Sequence, residues 1–143
     1  MNIASLLKAK GRAVATARAE ASLLEIASQL SSKGIGAIVI VNDRDEVIGI
    51  ISERDLVKAI GARGVSALSL AVGEIMTREV VSCTEDRTIE DLMGIMTTGR
   101  FRHVPVVEGG RLIGIVSIGD VVKNHIAEVE MEVSAMKDYL STG

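Results

Sequence analysis

A chain of 143 residues with 48% apolar side chains holds enough nonpolar material for one compact domain or two very small ones. With one Phe, one Tyr and no Trp, the core must be built from Ile, Val, Leu, Ala and Met, and the stacking platforms that single-stranded nucleic acid needs are missing. A net charge of −3 argues in the same direction against duplex binding, which calls for a basic face to displace counterions.

In chain order, Ile3 to Lys10 has the character of an amphipathic helix. No charged-apolar-small leader precedes it, no apolar run approaches the ~18 residues of a membrane span, and the lone Cys83 excludes an internal disulfide, so a cytoplasmic protein is expected. Ser22 then opens a helix whose apolar residues Leu23, Ile26, Ala27 and Leu30 share one face, with Ser22 and Glu25 spaced as a capping box and Gly34 as the stop. A hairpin follows: Ile38 to Val41, a turn at Asn42 to Asp45, and a return over Val47 to Ile51. Another helix comes next, and residues 61 to 72, glycine-bearing and aperiodic, read as a connector.

The same order then recurs. A strand-like run at Cys83 and Thr84 leads to a helix with Ile89, Leu92, Met93 and Met96 on one face, capped by Thr88 and Asp91 and ended by Gly99. Val104 to Val107, the turn Glu108-Gly109-Gly110 and the return Leu112 to Val116 complete the copy. The helices superimpose at a shift of 66 and the returning strands at 65, because the second turn is one residue shorter. The expected fold class is α/β (α+β): two βαββα repeats, residues 1–65 and 66–143, packed with pseudo-twofold symmetry and carrying N- and C-terminal helices. Such symmetry gathers corresponding loops around a shared cleft. Beyond the second copy, Ile126, Val129, Val133, Met136 and Leu140 form a heptad-type seam, open to self-association or to packing on its own globule.

The most informative residues stand where each last strand meets its helix: Gly49-Ile50-Ile51-Ser52-Glu53-Arg54-Asp55 and Gly114-Ile115-Val116-Ser117-Ile118-Gly119-Asp120. Ser and Asp at this spacing make a capping box, and the same helix start offers free N–H groups to an anion and a carboxylate to vicinal ribose hydroxyls. Gly119 inside a first helical turn suggests close approach by another group, and Arg54 in the matching slot opposes the helix dipole unless an anion lies between them.

The duplicated unit closing on strand-Gly-h-h-Ser-x-x-Asp-helix resembles the CBS domain family over about residues 10 to 126, and the pair resembles a stand-alone CBS tandem. The resemblance implies a regulatory module binding an adenine nucleotide such as AMP, ADP, ATP or NAD(H). It assigns phosphate and ribose contacts to Ser52, Asp55, Ser117 and Asp120, and adenine recognition to backbone at Ile35-Gly36-Ala37 and Phe101-Arg102-His103, with Thr16 and Thr84 flanking the same cleft. A homodimer is also implied. The copies differ at Arg54/Gly119 and Ala37/His103, so the two clefts are not expected to be equivalent, and Arg100, Arg102 and His103 suit either solvent or a polyphosphate.

Elsewhere bland roles suffice. Cys83 reads as a buried thiol, Pro105 as an edge or bulge position or one whose missing N–H leaves room for a ligand, and the two histidines, His103 and His125, lack metal-ligand spacing, so no metal is expected. No phosphate-binding Gly-x-x-x-x-Gly-Lys loop or Gly-x-Gly-x-x-Gly turn occurs, and the expectation is a non-catalytic sensor with neither nucleic-acid nor membrane partners. The competing expectation is a constitutive dimeric scaffold that docks an unidentified protein partner.

Overall fold

The computed structural model describes residues 1–142. Its elements run α1 (Ile3–Lys10), β1 (Thr16–Ala17), α2 (Leu23–Lys33), β2 (Ala37–Val41), β3 (Val47–Ser52), α3 (Glu53–Arg63), two 3-10 turns (Gly64–Ser69 and Val72–Glu74), α4 (Ile89–Gly99), β4 (His103–Glu108), β5 (Arg111–Ser117) and α5 (Ile118–Thr142). In the first copy β1 pairs parallel to β2 and β2 antiparallel to β3; in the second, the opening strand shrinks to a bridge at Cys83, parallel to Val106 beside the β4–β5 hairpin. Both hairpins slip register at the same place, between Ile40 and Val41 and between Val106 and Val107. Pro105 precedes the second slip, and its carbonyl accepts from the Cys83 N–H at 3.0 Å.

Helix starts follow the capping pattern. Ser22 accepts from the Glu25 N–H, and Thr88 with Asp91, like Ser52 with Asp55, completes a reciprocal box. Gly34 ends α2 in the left-handed region as expected, but at the end of α4 that conformation belongs to Arg100 (φ 58°), one residue beyond the expected Gly99. The Phe101 ring lies against Gly99, leaving no room for a side chain there, so packing rather than backbone freedom calls for that glycine.

The leading segments change partners. Ile3, Leu6 and Leu7 of α1 join Ile89, Leu92, Val104 and Val116 in the second copy's core, whereas Ala67, Val72 and Met76 complete the first copy's core around Ile26, Ile38 and Ile51. Backbone pairing follows: Asn2 bridges Thr88, and Ala71 bridges Ser22, so each copy's leader caps the other copy's first long helix. The stretch expected to act only as a connector therefore supplies core residues; short 3-10 turns bury Ala67 and Val72 without a helical period in the sequence. The motif glycines receive these leaders. Met76 presses on Gly49 and Leu7 on Gly114, where a Cβ would collide with the incoming side chain.

Candidate functional site

The first strand-to-helix junction opens into a cleft of about 640 Å³. Ser52, Glu53, Arg54, Asp55 and Lys58 form one wall, Gly36 joins them, and Arg100, Phe101, Arg102 and His103 of the second copy face them. The Ser52 Oγ accepts from the Asp55 N–H at 3.3 Å, while one carboxylate oxygen, Asp55 Oδ2, accepts from the Ser52 N–H (2.9 Å) and hydroxyl (3.0 Å). The carboxylate is thus folded onto its own helix start but spends a single oxygen there, and the cleft before it is open. Across the gap the His103 ring covers Gly36, whose Cβ, if present, would lie 3.2 Å from Nε2. Burial, the main cause, lowers the His103 pKa against the pull of Glu53 and Asp120.

The second junction has the same cap and a different occupant. Ser117 N–H donates to Asp120 Oδ2 at 2.8 Å and the Asp120 N–H to Ser117 Oγ at 3.2 Å, but Lys10 from the end of α1 also reaches Oδ2 at 2.6 Å. Partial burial works to raise the Asp120 pKa; the Lys10 hydrogen bond and charge, with the Ser117 N–H, outweigh it and hold the carboxyl below its usual range. Lys10 Nζ donates also to the Ile115 carbonyl at 2.8 Å. At the equivalent point of the first copy, Ile50 exchanges backbone bonds with Thr77 (3.0 and 2.9 Å), and among the described residues no lysine is bonded to its Asp55. The clefts are chemically unequal, as the Arg54/Gly119 and Ala37/His103 differences anticipate.

Of the other expected site residues, Thr16 and Thr84 are not brought to this cleft. Thr16 lines a separate hollow with Arg12, Asp45 and Arg111, and the Thr84 hydroxyl donates to the Asp86 carboxylate. The repeat explains the miss: a shift of 66 pairs Thr16 with Ser82 and not with Thr84, so the two were never equivalent. Ile35 packs against the first core and Ala37 is buried in β2, leaving Gly36 as the member of that trio on the cleft wall. Gly119 is not crowded by the chain; a Cβ would meet only Ser117 Oγ, at 3.6 Å. Thr77, Glu79, Val80 and Val81, which the sequence reading did not select, also line the first cleft. Their signal was the leader segment preceding the second copy. Cys83 is buried, and desolvation pushes its thiol up to about 11, consistent with a structural role.

The CBS domain family profile matches residues 11–62 and 72–126. The chain belongs to the CBS domain family. It carries the domain twice, as a tandem pair. A CBS-domain-containing protein from Agrobacterium tumefaciens is 48% identical in sequence and superimposes with a TM-score of 0.85, covering 87% of this chain and 99% of that one. The mitochondrial CBS domain-containing protein CBSX3 of Arabidopsis thaliana is 31% identical over 149 residues, 99% of this chain and 72% of the plant protein. The CBS domain pair of protein MJ0100, solved in complex with 5′-methylthioadenosine and S-adenosyl-L-methionine, is 26% identical with a TM-score of 0.81, over 90% of this chain and 98% of that one.

Proposed function

We propose that this CBS pair is a non-catalytic sensor that binds one phosphate-bearing adenosine nucleotide, of the AMP, ADP, ATP or NAD(H) class, in the cleft between Asp55 and Arg102. The observation that carries this is the meeting, around one open cleft of about 640 Å³, of the Ser52/Asp55 helix start with Arg54, Arg100, Arg102 and His103. A cleft of that size suits a nucleotide-sized ligand. Asp55 Oδ1 has lone pairs for ribose hydroxyls, and the α3 N-terminus favours an anion. Four cations, Arg54, Lys58, Arg100 and Arg102, stand against the carboxylates of Glu53, Asp55 and Glu79. That excess favours phosphate over the uncharged or cationic tails of the ligands bound by the MJ0100 pair, whose adenosine moiety supports the nucleoside part of the reading. Lys10 holds Asp120, so a single equivalent is expected.

Calorimetric titration with AMP, ATP, NADH and S-adenosylmethionine tests this, with saturable binding of a phosphate ligand at one equivalent as the expected result. Silence with all four, and no melting shift, sinks the sensor reading. It would leave the scaffold, which draws on the fact that both Ser/Asp pairs already serve as caps.

A further inference from the structure

The hollow lined by Thr16 lies between the two copies and shares no lining residue with the cleft at Ser52 and Asp55. Its volume is about 390 Å³, against about 640 Å³ for that cleft, at the low end of what small organic ligands occupy. The segment leading into β1 presents Arg12 and Thr16 to it, and the hairpins of the two copies add Asp45 and Arg111. The rest of the lining is aliphatic, from Val14, Val41, Leu112 and Ile113.

Most of this polar chemistry is unspent. Arg12 gives one guanidinium nitrogen, Nη1, to the Glu85 carboxylate at 2.9 Å and keeps its other donors. Among the described residues, the side chains of Thr16, Asp45 and Arg111 make no hydrogen bond or ion pair, so the opposite charges of Asp45 and Arg111 share one hollow without pairing to each other. The repeat does not impose this pattern. At a shift of 65, Asp45 (φ 58°) corresponds to Gly110 (φ 81°) and Arg111 to Glu46. A carboxylate is thus carried in the left-handed region, where glycine is the unstrained choice.

An anion alone would meet the Asp45 carboxylate, and a cation alone would meet two guanidiniums. A small zwitterion satisfies both, with its carboxylate on Arg111 and Arg12 and its ammonium on Asp45. The four aliphatic side chains suit a branched hydrocarbon. We propose that this hollow binds a free α-amino acid with a branched aliphatic side chain, of the leucine, isoleucine and valine class, one per chain. Because its walls come from both copies, the ligand holds their hairpin ends together, and it does so independently of the Ser52/Asp55 cleft.

Calorimetric titration and thermal melting of the full chain with L-leucine, L-isoleucine and L-valine test this, beside isocaproate, which lacks the ammonium, and isopentylamine, which lacks the carboxylate. The expected results are saturable binding of an amino acid at one equivalent with a raised melting temperature, and an affinity lower by about tenfold or more for both truncated analogues. Arg111→Gln and Asp45→Asn, at exposed positions, should each weaken amino-acid binding by about tenfold or more while the chain's own melting is retained. No heat and no melting shift with any of the three amino acids overturns the proposal. So does isocaproate binding as tightly as the amino acids, which would make the hollow a simple anion site, or an amino-acid affinity that either substitution leaves unchanged.

Discussion

Replacing Lys10 by methionine isolates the contact that makes the two clefts unequal. The substitution keeps an unbranched apolar stem and removes the ammonium that meets Asp120 Oδ2 at 2.6 Å and the Ile115 carbonyl at 2.8 Å. Fully exposed ion pairs contribute up to about 1 kcal/mol, and buried charged hydrogen bonds up to about 3. The Lys10 and Asp120 side chains are 30% and 25% exposed, which places the loss between these limits, at about 2 kcal/mol. For a chain of this length that lowers the melting temperature by about 5 °C. The pH dependence has a definite sign: the folded Asp120 pKa lies below its ordinary 3.8, so the contribution is complete above that value and fades as pH falls through the folded pKa. The stability gap between wild type and Lys10→Met should therefore be full at pH 7 and close in acid. With Asp120 released, nucleotide titration should rise from one equivalent to two. Melting curves and stoichiometry that both match wild type would refute the idea that Lys10 occupies the second site.

Seven other substitutions probe the same structure. Asp55→Ala should cost about 1 kcal/mol through its cap and abolish nucleotide binding, whereas Asp120→Ala should leave one equivalent bound; calorimetry beside thermal melting separates the effects. Gly114→Ala forces a Cβ onto fully buried Leu7 and should lose about 1 to 3 kcal/mol, more than Gly49→Ala, whose neighbour Met76 is unbranched and can shift; denaturant titration reads both. Gly61→Ala and Gly94→Ala meet open space on helices α3 and α4 and should each stabilise by about 1 kcal/mol in the same assay. Phosphate near His103 should raise a pKa that burial lowers below 6.5, so binding takes up a proton and tightens as pH falls through the bound-state pKa. Titration in buffers of different ionisation enthalpy measures that uptake, which His103→Gln should remove.

Local chemistry made most of the fold legible. Caps at Ser22, Ser52, Thr88 and Ser117 and the two hairpins follow from side-chain hydrogen bonding and period-two alternation, both of which act within a few residues. The exchange of leaders was not legible, because nothing local says that Leu7 will lie on Gly114 or Met76 on Gly49; that outcome depends on which core has room. Lys10 was missed for the same reason. Its partner lies 110 residues away, and the repeat gives no hint, since at the matching point of the first copy the Thr77 backbone pairs with Ile50 instead. The cleft residues Thr77 and Glu79 belong to this class too, brought in by the backbone bridge between Thr77 and Ile50.

Arg102 ties the cleft to the helix that leaves the globule. It lines the first cleft and also the apolar groove at the root of α5, and its carbonyl accepts from the Ile118 N–H, the first of that helix, at 2.8 Å. A phosphate in the cleft would draw the guanidinium toward it, and the start of α5 is tied to the same residue through its backbone. If the ligand and the homodimer that the family resemblance implies favour the same arrangement, linkage requires each to strengthen the other by one common factor. Nucleotide should accordingly tighten the dimer in sedimentation, and dimer formation should tighten nucleotide binding equally. Arg102→Ala should leave a dimer whose affinity no longer responds to nucleotide. A dimer equally tight with and without nucleotide in the wild-type chain would show that the two sites share a residue without sharing free energy.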